Sequence, residues 1–278
     1  MTDSSTTTYP PFSVLTPLPA DRPRVRVALF DFDGTISALR QGWEGIMTPL
    51  MLECIAGSTE PTDELRQEVA EYIDRSTGVQ TIHQMIWLAD AVVRHGLNPI
   101  VHDPWWYKAE YNRRLLEPVS ARAEQVISGE TPAEDFLIAG SRAFLDALRA
   151  AGISMYVASG TDHPDVMREV GTLGLSDYFV EIAGAPVGAM DCSKEAVLRR
   201  LVQDAGLAGP EVLVIGDGRV EIALAREVGA IALGVATDEV ARSGVNPVKY
   251  ARLSKAGAHA ISGDFTPLAE ILGWLGIG

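Results

Sequence analysis

A chain of 278 residues, 47% hydrophobic and 22% charged, is long enough for a substantial core, as one domain with an insertion or as two domains. Its 37 acidic against 23 basic residues leave a formal charge of −14. That balance argues against a protein that tracks nucleic-acid phosphates, and an anionic substrate would need a local cation. The two cysteines, Cys54 and Cys192, lie far apart and read as free thiols of a reducing cytoplasm. No apolar run reaches membrane-spanning length.

In chain order, residues 1–23 are polar and Pro-rich, lack the basic and apolar regions of a secretion signal, and read as a flexible tail. The run V-R-V-A-L-F that follows reads as a buried strand and ends in D-F-D-G-T, residues 31–35. On an extended chain Asp31 and Asp33 face one side and Phe32 the other. Two carboxylates ~4 Å apart at an effective dielectric of about 20 repel by roughly 4 kcal/mol. Such a pair implies a bridging cation or a retained proton. From 43 to 129 the apolar spacing is helical, over 43–56, 64–75, 81–95 and 104–127, with turn chemistry at 57–59, 76–78 and 96–99. A helix over 140–151 leads into the strand I-S-M-Y-V-A-S, which ends at Ser159. Strands and helices then alternate: a helix from His163, a strand over 178–183 and a helix from Lys194 with Ser193 as its cap. The strand E-V-L-V-I-G, a helix over 220–228, a strand over 230–235 and two late helices complete the chain. This alternation predicts an α/β fold around a parallel sheet, with the helical block inserted after the first strand. There is no internal repeat.

Open parallel sheets bind ligands at the carboxyl ends of their strands. The first strand offers Asp31 and Asp33 there. The second offers Ser159-Gly160-Thr161, a hydroxyl and amides suited to an anion at a helix start. Lys194 opens the next helix, and the following strand ends in G-D-G-R-V-E. If a helix starts just after Gly218, Asp217 and Glu221 lie about one turn apart and reach a common point.

The ordered set D-F-D-G-T, Ser159, Lys194 and G-D-G-R-V-E resembles the motifs of the haloacid dehalogenase superfamily of phosphotransfer enzymes, from about residue 24 to the end of the chain. The resemblance implies a Rossmann-like core (24–38 and 136–278), a helical cap (39–135), a Mg²⁺ ion and a covalent aspartyl-phosphate. On this sequence Asp31 would be the nucleophile and Asp33 the general acid and base. Ser159, Gly160 and Lys194 would hold the phosphoryl group. Asp31, the backbone carbonyl of Asp33, and Asp217 would bind the metal with support from Glu221, where the family often has Asp. An acid at position 33 favours a phosphate ester over the halide- and phosphonate-cleaving branches. The membrane pumps of the superfamily carry Thr there.

The resemblance therefore implies a phosphatase acting on a small-molecule phosphate ester, such as a sugar or cyclitol phosphate, without nucleic-acid or membrane partners. A phosphomutase of the β-phosphoglucomutase type would use the same residues, and a catalytically silent binding relative is the third reading. Monomer and homodimer are both open. For the rest of the substrate, Arg40 is placed to meet a second anion and Trp43 to stack on a sugar-like face, unless they are a surface residue and the first core residue of the cap. Gln80 and Thr81, in the turn T-G-V-Q-T, are the candidate cap loop residues facing the substrate.

Overall fold

The apolar run after Arg26 forms a strand, Val27–Phe30, in which every residue is buried. A computed structural model describes the chain at residues 9–190, 193–203, 207 and 209–278. Cys192 and the side chain of Ser193 lie outside what is described. Cys54 is a free thiol whose pKa burial pushes up to about 11.

The strands are β1 (Phe12–Val14), β2 (Val27–Phe30), β3 (Ser154–Asp162), β4 (Phe179–Ala185), β5 (Val212–Gly216), β6 (Ile231–Val235), β7 (Thr237–Asp238), β8 (Ser243–Val245) and β9 (Ala260–Ser262). The main sheet has the order β1-β9-β6-β5-β2-β3-β4, and β7 and β8 form a separate hairpin. All main-sheet pairs are parallel except β1 with β9. Because β2 lies between β3 and β5, the chain winds first to one side and then to the other, which opens a crevice beyond the carboxyl end of β2. Register fixes what meets there: Phe30 is level with Val157 and with Ile215. The next residues on these strands are Asp31, Ala158-Ser159 and Gly216-Asp217.

Helices cover both faces. On one, α5 (Ser141–Ala150), α6 (His163–Thr172) and α10 (Leu268–Leu275) pack on Ala28 and Phe30. On the other, α7 (Ser193–Gln203), α8 (Arg219–Glu227) and α9 (Pro247–Ala256) pack on Val27 and Leu29. The alternation along β2 is the period-two rule of an extended chain buried on both sides. Helices α1 (Glu44–Ala56), α2 (Asp63–Arg75), α3 (Thr81–His95) and α4 (Pro104–Ile127) share a separate apolar cluster, centred on Met51, Ile55, Met85, Leu88 and Tyr107. Thr62 and Asp103 cap α2 and α4 by accepting backbone N–H groups of the first turn.

Three expectations are corrected. Within the stretch read as a tail, Phe12–Val14 instead pair with β9, and the Tyr9 ring lies 4.1 Å from that of Tyr250. Three residues are too few to show alternation. The second predicted strand continues through Ser159-Gly160-Thr161 to Asp162, with a register shift after Ala158, so those amides precede α6 and are not its first turn. Strand β9 and the β7–β8 hairpin are additional to the predicted elements. Among the described residues, no helix is long and apolar enough to cross a membrane.

His259, just before β9, accepts the Ala232 N–H at its Nδ1 at 3.0 Å. Burial, and then Arg226 beside the ring, lower its pKa to about 4. Below the ordinary value of ~6.5 the unfolded chain takes a proton that the folded chain refuses. The contribution is therefore complete above about pH 6.5 and is lost as pH falls towards 4. The urea midpoint is expected to drop between pH 7 and pH 5, and His259→Asn to flatten that drop. Equal slopes in the two proteins would refute the assignment.

Candidate active site

At the crevice, Asp31 is buried, and its N–H donates to Ile215 O at 2.8 Å, which continues the sheet register by one residue. Its Oδ1 accepts the Phe32 N–H at 2.8 Å and its Oδ2 accepts Lys194 Nζ at 2.8 Å. Burial pushes the Asp31 carboxyl well above the ordinary carboxylate range. Lys194 opposes that shift, and Glu221 and Asp217 add to it. Burial also works against the Lys194 ammonium, but Asp31 and Glu221 more than offset it and hold its pKa above the usual lysine value.

Asp33 Oδ2 accepts Thr161 Oγ1 at 2.8 Å and Ser159 Oγ at 3.4 Å, while its buried Oδ1 has no hydrogen-bond donor. The extended end of β3 makes this possible, because it carries both hydroxyls beyond the last β2 pairing, Phe30 with Val157. Gly34 has φ +72°, and a Cβ there would run into the Asp217 carboxylate, so glycine at this turn lets two motif loops touch.

Asp217 follows β5, and Gly218 caps α8. Glu221, in the first turn of α8, reaches back so that its Oε1 accepts the Gly218 N–H at 2.6 Å, and its Oε2 accepts Lys194 Nζ at 3.3 Å. One oxygen from each of Asp31, Asp217 and Glu221 lies within 4.8 Å of the others. Lys249 Nζ reaches Asp217 Oδ2 at 2.7 Å and Glu239 Oε1 at 2.5 Å. Among the described residues, four carboxylates (Asp31, Asp217, Glu221 and Glu239) thus hold two ammonium groups. An all-oxygen donor set with an excess of negative charge fits a hard divalent cation.

The cap closes the site. A Cβ at Gly78, between α2 and α3, would come 2.9 Å from Glu221 Oε2. Arg252 joins the two sides: Nη1 donates to Asp74 at 3.0 Å and to Thr77 at 3.1 Å, and Nη2 donates to Asp217 O at 3.3 Å. Lys108 and Asn112 of α4 both donate to the Asp162 carboxylate, at 2.5 and 3.2 Å. Between cap and core lies a cavity of about 100 Å³.

Ten residues singled out from the sequence line it: Asp31, Asp33, Arg40, Trp43, Thr81, Ser159, Gly160, Thr161, Lys194 and Asp217. Glu221 stands directly behind Lys194. Gln80 is the exception. It is 3% exposed and is not among the lining residues, because its amide turns away to donate to Ala189 O at 3.1 Å. Arg40 is not a surface residue: its guanidinium is buried against Glu169 of α6, with Nε–Oε2 at 3.0 Å and Nη2–Oε1 at 2.6 Å. Burial pushes the Glu169 carboxyl up to about 7, against the pull of Arg40.

Sequence reasoning missed Gln84, Tyr111, Glu169, Lys249 and Arg252. Lys249 sits in a helix first turn capped by Asn246, a place where lysine is ordinarily solvated. A buried polar group inside an amphipathic helix pattern, such as Glu169, is the one signal that could have found the rest.

A doubly wound parallel sheet with a helical cap over an acidic, lysine-containing crevice defines a Rossmann-like α/β fold of the haloacid dehalogenase type. The family described as haloacid dehalogenase-like hydrolase matches residues 25–229, and this chain belongs to it. A phosphoglycolate phosphatase of Rhodospirillum rubrum is 27% identical over 137 residues, 49% of this chain and 52% of that protein. The chain thus spans about half the length of that curated relative. Among solved structures, a predicted phosphoglycolate phosphatase from Haemophilus somnus superposes with a TM-score of 0.61 at 15% identity, covering 90% of this chain and 98% of that one. A β-phosphoglucomutase from Clostridium difficile gives 0.57 at 15%, covering 91% and 97%. Both likenesses are of fold.

Proposed function

We propose that this protein is a Mg²⁺-dependent phosphatase that hydrolyses a small-metabolite phosphate monoester, of the sugar or cyclitol kind, through an aspartyl-phosphate on Asp31. The observation that carries this reading is the convergence of Asp31, Asp33, Ser159, Lys194 and Asp217 on one cavity from four strand ends and helix starts far apart in sequence. The phosphatase name of the Rhodospirillum relative supports it.

In this reading an oxygen of Asp31 attacks phosphorus, and the ester oxygen leaves with the proton of Asp33. Asp33 then takes a proton from the water that attacks the aspartyl-phosphate, which releases inorganic phosphate and restores both acids. Ser159 and Thr161 hold the Asp33 carboxylate in place. Lys194 stabilises charge on the phosphoryl oxygens as its bonds loosen. Asp31, the Asp33 carbonyl and Asp217, with Glu221 in support, would hold Mg²⁺, which when bound offsets the repulsion between the anionic nucleophile and the anionic ester. Glu221 also keeps Lys194 in line through its 3.3 Å contact.

A panel of phosphate esters assayed for free phosphate with Mg²⁺ and with chelator tests the activity. Turnover with Mg²⁺ and none with chelator is the expected result. Conversion of a hexose 1-phosphate to its 6-phosphate without phosphate release would make the protein a mutase. No turnover across the panel would leave the binding relative. Independently of activity, millimolar Mg²⁺ is expected to raise the Tm of the wild type and not of Asp217→Asn, since a ligand stabilises only the state that binds it. An equal rise in both would remove Asp217 from the metal site.

A further inference from the structure

We propose that the cavity selects against a second negative charge on its substrate, so that the organic body of the ester is an uncharged, hydroxylated one. The proposal rests on the phosphatase reading above and concerns the same cavity. Among the described residues that line it, the cations are Arg40 and Lys194. Lys194 is held by Asp31 and Glu221 and faces the phosphoryl position. Any carboxylate on the substrate would therefore have to be met by Arg40.

Arg40 is already committed to acids. Its guanidinium makes a two-point contact with Glu169, whose side chain is 1% exposed. Asp33 Oδ1 lies 3.7 Å from Nε and Asp165 Oδ2 lies 3.8 Å from Nη2. Arg122 of α4 donates to the carbonyls of Leu39 and Gln41 on either side, which fixes the backbone that carries Arg40. One positive charge therefore stands among three acidic side chains. An incoming carboxylate must share the guanidinium with Glu169 or displace it. Displacement would leave a buried carboxylate without its cation, and that is costly. Asp31, Asp33 and Asp217 line the phosphoryl end, and the walls away from it carry neutral groups, among them Trp43, Tyr111, Thr77, Thr81 and Gln84 beside the aliphatic Leu115. Hydroxyls, an amide and aromatic faces suit a polyol or sugar-like alcohol. Specificity would thus come partly from a built-in repulsion.

Matched pairs that differ only in the distal group test this: 2-hydroxyethyl phosphate against phosphoglycolate, and glycerol 3-phosphate against 3-phosphoglycerate. The neutral member of each pair is expected to have at least a tenfold higher kcat/KM. Glu169→Gln is expected to move that ratio about tenfold towards the carboxylated member, and Asp165→Asn to move it the same way by less. The ratio is taken within one protein, so partial misfolding cancels from it, and Asp165→Asn serves if Glu169→Gln does not fold. Preference for the carboxylated esters, or ratios unmoved in the variants, would overturn the proposal. So would hydrolysis of p-nitrophenyl phosphate with no turnover of either pair. If p-nitrophenyl phosphate also fails, the phosphatase reading itself falls.

Discussion

Asp31→Asn is expected to lower turnover by at least about 10⁴-fold while leaving the fold in place. The substitution keeps the size of the side chain but removes the anion proposed as the nucleophile, and with it the proposed route that splits one hard transfer into two. It also leaves Lys194 facing a neutral amide, although Glu221 still holds that ammonium at 3.3 Å. The burial that raises the Asp31 pKa shows how much the surrounding cations matter. A buried acid attacks only if opposite charge keeps it ionised, so the nucleophile and its neighbours act as one unit. Phosphate release is the assay and circular dichroism the control for folding. A folded variant within tenfold of the wild-type rate would end the nucleophile assignment.

Lys194→Met should have the second-largest effect, on two properties at once. Turnover is expected to fall on the order of 10³-fold, because the cation proposed to meet the phosphoryl oxygens is lost. Stability in chelator is expected to fall by about 3–5 kcal/mol, the usual cost of leaving buried charge without its partner. The partners in question are the buried Asp31 and Glu221, and Lys194 itself is 4% exposed. Saturating Mg²⁺ should then stabilise the variant more than it stabilises the wild type, since a divalent cation replaces the missing charge. Urea unfolding with chelator and with Mg²⁺ measures both increments. Unchanged stability in chelator, or equal Mg²⁺ increments, would show that Lys194 and the metal ligands are not one electrostatic cluster.

Both predictions follow from how charge is arranged at the end of β2. The carboxylates cannot disperse, because each is held by backbone: Asp31 by the sheet register, and Glu221 by its bond to the Gly218 N–H. A protein of net charge −14 thereby concentrates both its acids and two buried lysines at one strand end. The cap loop at Gly78 closes over that concentration of charge, and exclusion of water strengthens every interaction within it.

The α/β fold and the acidic crevice were legible in the sequence because both rest on local rules. Alternating strand and helix periodicities dictate a parallel sheet. Strand-end position dictates that Asp31, Ser159 and Asp217 share one crevice, and the spacing of Asp217 from Glu221 follows from a single helical turn. Those rules operate over a few residues and need no knowledge of what packs where. Tertiary structure alone decided the rest. Arg40 read equally as a surface residue, and only the packing of α6 brings Glu169, 129 positions away, onto its guanidinium. Lys249 and Arg252 carry no local signal of a site, and only the packing of α9 against the G-D-G loop brings them to Asp217. Gln80 and Thr81 are neighbours in one turn, yet only Thr81 faces the cavity. Edge strands of three residues carry no period of their own and exist because the sheet offers unpaired backbone. Ion pairs and loop orientation depend on long-range juxtaposition, and a side chain's type and spacing do not encode its distant partner.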